Sequence, residues 1–173
     1  MQRSLTYLAL CLLLPLSAQA KATEIAPVIK AEKPVGTATM RVLWSDVYHA
    51  SFWSDNGGWQ QQPYALSLTY DMNFTADELA DRTSEEMGKV STLSETARTQ
   101  YAERLKALWP NVKKGDRITA IARQNRTSFY HNGKALGSIE GGEFMRAFFG
   151  IWLSPNSSEP EMQRQLLAKP VAK

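Results

Sequence analysis

The chain has 173 residues, with 20 Lys and Arg against 17 Asp and Glu and a single Cys. That length suits one domain with one substantial core, once a terminal targeting segment is set aside. Basic residues are scattered along the sequence, so there is no clustered footprint of the kind that marks a nucleic-acid binder.

Residues 1–20 read as a signal peptide: Arg3 supplies the positive start, Leu5 to Leu16 the apolar stretch and Ala18-Gln19-Ala20 a small-residue cleavage site. The apolar stretch is shorter than the ~20 residues needed to span a bilayer, so the expected product is exported, without a transmembrane segment in the mature chain. Cys11 falls inside the signal, which leaves the mature chain without disulfide, thiol or cysteine-metal chemistry. Residues 21–35 are rich in Lys, Ala, Pro and Glu, and Pro27 and Pro34 interrupt any regular element, so a disordered leader is expected there.

The folded domain is expected over residues 36–168, with 169–173 as a tail. It opens with a strand from Gly36, in which Met40, Val42 and Trp44 alternate with Thr39, Arg41 and Leu43, and a second strand follows from Val47 to Trp53. After an Asp55-Asn56-Gly57-Gly58 turn, Tyr64, Leu66, Leu68 and Tyr70 alternate with Ala65, Ser67 and Thr69 as a half-buried strand. Thr75 and Glu78 form a capping box that starts one helix, and a second runs from Ser94 to Trp109, ended by Pro110.

Asn132-Gly133 is a strong hairpin signal, because a type I′ turn needs two central residues with positive φ. It pairs a strand spanning Ile118 to Phe129 with one from Ala135 to Ile139. Beyond Gly141-Gly142, Phe144, Ala147, Phe148 and Ile151 recur at helical spacing and place an aromatic stripe on the sheet; Ser154-Pro155 stops that helix. Ser158-Glu159-Pro160-Glu161 reads as a second capping box, opening a short helix to about Ala168. The sum is an α+β fold, a largely antiparallel sheet with helices over one face.

No nucleophile elbow, phosphate loop or dinucleotide fingerprint is present, and His49 and His131 stand outside any ligand-spaced group, so neither cofactor nor metal is expected. Arg41 and Tyr48 are the candidate ligand-binding pair. A guanidinium in a cleft holds a carboxylate or phenolate through paired N–H bonds, and a nearby tyrosine hydroxyl shares the oxygen. Trp44, Trp53, Trp59, Trp109, Phe148, Phe149 and Trp152 are numerous for this size, and a few of them are expected to line an apolar cleft.

Read in order, TMRVLWSDVYHASFW, PYALSLTYDMNFTADELA, GDRIT, FYHNGKALGSIEGGEF, FFGIWLSP and SEPEMQRQLL give the chain a resemblance to the bacterial exported branch of the chalcone isomerase-like family. The resemblance covers about residues 36–168 and implies an open-faced β-sandwich. It sets Arg41 on the strand arginine of the plant enzymes and Tyr48 on their first threonine, a substitution that resembles the fatty-acid-binding members of the fold. The helix tyrosine of the enzymes becomes Leu79, their asparagine becomes Glu86, and their late threonine falls near Arg126 or Thr127. Losing that tyrosine removes the group that would organise hydrogen bonds at a reacting ketone.

The resemblance therefore implies a non-catalytic binder of a small apolar carboxylate such as a fatty acid. An isomerase acting on a phenolic ketone and an envelope interaction module are the alternatives. No oligomeric state is implied.

Overall fold

The structure, a computed structural model, describes residues 21–168; the expected signal peptide and the expected tail lie outside the described residues. Six strands form one antiparallel sheet in sequence order: β1 (Gly36–Val42), β2 (Ser45–Ser54), β3 (Tyr64–Tyr70), β4 (Arg117–Arg123), β5 (Arg126–His131) and β6 (Lys134–Glu140). Helices α1 (Ala76–Val90), α2 (Glu95–Leu108), α3 (Gly142–Leu153) and α4 (Pro160–Leu166) gather over one face. The expected α+β fold is present.

Alternation decides which side chains reach those helices. Ala50 and Phe52 of β2, Tyr64, Leu66, Leu68 and Tyr70 of β3, and Ile118, Ala120 and Ala122 of β4 share the main core with α3. Helix α3 is apolar almost all round and buried accordingly: Phe144, Phe148 and Phe149 are within that core, with Phe129 of β5 packed between Trp109 and Phe148. At α1, the Thr75 side chain accepts from the Glu78 N–H and the Glu78 carboxylate accepts from the Thr75 N–H, so this capping box forms as expected.

Four expectations are corrected. The strand spanning Ile118 to Phe129 is two strands, β4 and β5, joined at Gln124-Asn125, where both residues have positive φ. Asn tolerates that conformation without the glycine that makes a turn conspicuous. The second capping box does not form: Glu159 precedes α4 without a side-chain cap, and the Ser158 hydroxyl instead donates to the Glu86 carboxylate at 2.5 Å.

The expected disordered leader is instead ordered on the far face of the sheet. Residues 22–29 make two hydrogen-bonded turns, closed by Ile25 N–H to the Ala22 carbonyl and Ile29 N–H to the Ile25 carbonyl, each at 3.0 Å. Ile25 and Ile29 are fully buried against Trp53, Ala65 and Ile121. The Asp55 carboxylate accepts from the Lys30 and Ala31 N–H groups at 2.8 and 2.7 Å, and Glu24 faces Arg117 at 3.4 Å. Isolated isoleucines in a polar, proline-broken segment thus have a partner that only the tertiary fold provides. The strap also explains why β3 is buried on both faces rather than half-buried.

Candidate functional site

Between the sheet and the helices lies an apolar cavity of about 490 Å³, within the range of small-molecule sites. Strand register builds its floor. Met40 pairs with Tyr48 and Tyr48 with Tyr70 across β1, β2 and β3, while Leu68 pairs with Ile118 across β3 and β4. One wall is the face of α1 that presents Glu78, Leu79, Arg82, Thr83 and Glu86, three and four residues apart and so stacked along the helix. The other is Phe148, Ile151 and Trp152 of α3, and Ser158 and Glu159 close the end. The exposed lining residues Val42, Glu78, Arg82, Ser158 and Glu159 mark the mouth.

Tyr48 is the polar group of the floor. Its oxygen accepts from the Trp152 indole N–H at 3.0 Å, and its own O–H points at the Met162 sulfur at 3.9 Å. A thioether is a weak acceptor, so the tyrosine proton is held in reserve for a better one. Burial, aided by the charges of Glu159 and Glu86 and opposed by the Trp152 bond, pushes the phenol pKa up to about 12. Tyr48 is therefore a neutral donor at ordinary pH, not a phenolate.

At the mouth, Arg82 donates to Glu85 at 3.1 Å and forms an ion pair with Glu86 at 2.7 Å. The other Glu86 contacts are Lys89 at 2.9 Å and Ser158 at 2.5 Å. Burial favours protonation of Glu86, but the Ser158 and Lys89 hydrogen bonds and the Arg82 charge outweigh it and hold the carboxyl below its usual range. A folded-state pKa below the unfolded one stabilises the protein above the ordinary carboxylate range, and that stability is lost as pH falls through the folded pKa. Glu86→Gln is accordingly expected to lessen the loss of stability on acidification, read as a smaller drop in urea midpoint between neutral and acid pH.

Of the two candidate residues, Tyr48 lines the cavity and Arg41 is not brought to it. A bulge between Met40 and Arg41 shifts the register at the end of β1. Alternation turns Arg41 outward, where its Nε donates to Asp46 at 2.6 Å with 64% of the side chain exposed. Leu79 and Glu86, aligned by resemblance with the enzymes' tyrosine and asparagine, do line the cavity. Arg126 is ion-paired with Glu140 at the surface, and Thr127 is buried in β5 away from the lining. Of the aromatic residues singled out, Trp109, Phe148 and Trp152 line the cavity, Trp53 packs beneath the strap and Trp44 projects into solvent.

Sequence reasoning missed Arg82. The available signal was its spacing: Arg82 lies three residues after Leu79 and four before Glu86, on the helix face that turns toward the sheet. His49 hydrogen-bonds Thr39 at 2.8 Å and faces Asp71 at 3.0 Å, while His131 faces Asp116 at 3.4 Å. Among the described residues no three His, Cys, Asp or Glu side chains are grouped to hold a metal.

Comparison with known proteins bears on this geometry. Residues 33–168 match the family described as chalcone isomerase-like. An uncharacterized protein of Haemophilus influenzae is 28% identical over 139 residues, covering 79% of this chain and 68% of that protein. Among solved structures, a fatty-acid binding protein of Arabidopsis thaliana superposes with a TM-score of 0.61 at 10% identity, covering 78% of this chain and 86% of that one. At that identity the likeness is one of fold.

Proposed function

The chain belongs to the chalcone isomerase-like family, and from that premise we propose that it is a non-catalytic binder of a small apolar carboxylate of the fatty-acid class. The observation that carries the reading is the open apolar cavity with a hydroxyl donor on its floor and an arginine at its mouth. The solved fatty-acid binding protein of the same fold supports it. A cleft filled by its own side chains would have suited an interaction module; this one is empty enough for a ligand. Leu79, apolar where the enzymes carry their tyrosine, offers no hydrogen bond to a reacting ketone and so weighs against the isomerase alternative.

The head-group role assigned to Arg41 passes to Arg82. Arginine has five N–H donors, and those not given to Glu85 and Glu86 are available to a ligand carboxylate, while the Tyr48 hydroxyl exchanges the Met162 sulfur for a ligand oxygen. The tail lies between Leu68, Ile118, Phe148 and Ile151. The signal-like first twenty residues support export, so the ligand is one met outside the cytoplasm, in the periplasm if the host is Gram-negative.

Glu78 and Glu159 also stand at the mouth, so without Arg82 a bound carboxylate would meet mainly acidic groups. Arg82→Ala is expected to weaken palmitate at least about tenfold, the loss of roughly 1.4 kcal/mol, and to weaken the uncharged alcohol of the same chain length much less. Tyr48→Phe is expected to cost several-fold for both. Equal loss for acid and alcohol in Arg82→Ala, or none for either, would remove the arginine from the site.

A further inference from the structure

The hairpin that joins β1 to β2 turns through two residues, Leu43 and Trp44, where turn chemistry ordinarily favours Asn and Gly. Leu43 sits at φ 55°, a conformation uncommon for a large side chain, and is 87% exposed; Trp44 is 98% exposed. Both side chains project from the fold with almost no cover from their own chain. Val42, beside them, is 54% exposed and also lines the cavity. The protruding tip is thus continuous with the mouth of the binding site.

Sheet topology adds the charge. In an antiparallel meander the ends of β1, β3 and β5 and the starts of β2, β4 and β6 fall on one edge. That edge therefore carries Leu43-Trp44, the 43%-exposed Met72, the exposed Lys113 and Lys114 before β4, and the exposed Lys134 after the Asn132-Gly133 turn, while its carboxylates Asp46, Asp71 and Asp116 face Arg41, His49 and His131. The Lys114 N–H bonds the Asn73 side chain at 3.0 Å, which holds the lysine pair beside Met72. None of the three lysines has a carboxylate within ion-pair distance among the described residues. At the ~4.8 Å spacing of neighbouring strands, the edge of the six-stranded sheet is about 24 Å wide.

We propose that this edge docks on a lipid bilayer bearing anionic headgroups, with Leu43 and Trp44 entering the interface, so that the cavity exchanges its amphipathic ligand directly with the leaflet. Tryptophan favours the headgroup boundary, and lysines near an anionic surface add attraction without needing shaped partners. A small apolar point with diffuse cations around it suits a soft surface. A stable protein interface needs about 800 Å² of each partner, which two projecting side chains do not supply. Ligand exchange rests on the binding function proposed above; the docking itself does not.

The test is flotation of the purified protein with vesicles of phosphatidylcholine alone and of equal parts phosphatidylcholine and phosphatidylglycerol, with tryptophan emission recorded on each. Binding to the mixed vesicles, weaker binding to phosphatidylcholine, and a blue shift absent in Trp44→Phe are expected. Leu43→Ser with Trp44→Ser is expected to weaken vesicle binding at least tenfold, with melting temperature and vesicle-free palmitate binding unchanged. Lys113→Glu with Lys114→Glu is expected to weaken it at least about thirtyfold, the fold-change given by roughly 1 kcal/mol for each of the two cations removed. Vesicle binding that is absent in the parent protein, or unchanged in both double variants, overturns the proposal. So does a parent dimer that the serine variant converts to monomer with no vesicle binding, since the tip would then be a protein contact. Palmitate binding in free solution is measured separately, so its loss points to the cavity reading and not to docking.

Discussion

Replacing Ile118 and Ile151 together by tryptophan is expected to weaken palmitate binding by about two orders of magnitude while the protein stays folded. Ile118 lies on the cavity floor in β4 and Ile151 on its α3 wall, and both are largely covered by the fold. Because they face an open volume of about 490 Å³, the added rings enter free space rather than displacing packed neighbours, which is where overpacking becomes costly. The space they take is lost to the ligand tail. Each methylene kept in water costs ~0.8 kcal/mol, so excluding four costs about 3 kcal/mol, or roughly two-hundredfold in affinity. Competition with a fluorescent fatty acid measures the loss, and an unchanged circular dichroism spectrum shows that folding survives. Affinity within a few-fold of the parent protein would place the ligand elsewhere.

The second large effect falls on stability. Phe129 has no exposed surface and sits at the junction of three elements, its ring 5.5 Å from Trp109, 5.3 Å from Phe148 and 6.4 Å from Phe144. The contacts with Trp109 and Phe148 are edge-on, the geometry that adds to simple burial. Opposite it in the sheet lies Gly137, and the Leu108 side chain already crowds the Gly137 position at 2.6 Å from where a Cβ would stand, so collapse into the void is hindered from that side. Phe129→Ala is expected to cost about 3–5 kcal/mol, a large share of the 5–15 kcal/mol typical of a domain. Urea unfolding checks it. A cost below about 1 kcal/mol would mean that α3 does not rely on this sheet contact.

How much of this was legible in the sequence depends on whether a signal was local. The Asn132-Gly133 turn, the Thr75–Glu78 cap and the stop at Ser154-Pro155 are chemistry within a few residues, and the chain carries them in plain form. The Gln124-Asn125 turn is equally local but lacks glycine, so two strands read as one. Ser158 has the right spacing for a cap, yet a buried carboxylate from α1 claims its hydroxyl, and no local pattern reveals that competition. Ile25 and Ile29 carry no local signal because their partners Trp53, Ala65 and Ile121 come from three separate strands.

The site divides in the same way. Tyr48 is legible through the family resemblance, which aligns it with a residue of the enzymes' cleft. Arg41 comes from the same resemblance, but alternation sets it on the side of β1 opposite Met40 and Val42, which line the cavity, and an aspartate five residues on pairs with it there. The cation that does reach the cavity, Arg82, lies on a helix whose facing partner is set only when α1 packs over the sheet. A periodicity shows that a helix has an inner face; which cavity that face meets is a property of the whole fold.

Native mass spectrometry of the protein titrated with palmitate tests the central claim most directly, with parent and Ile118→Trp/Ile151→Trp proteins run side by side. The account predicts a one-to-one adduct in the parent that is largely lost in the double variant. No adduct in the parent, or adducts of equal abundance in both, would contradict it.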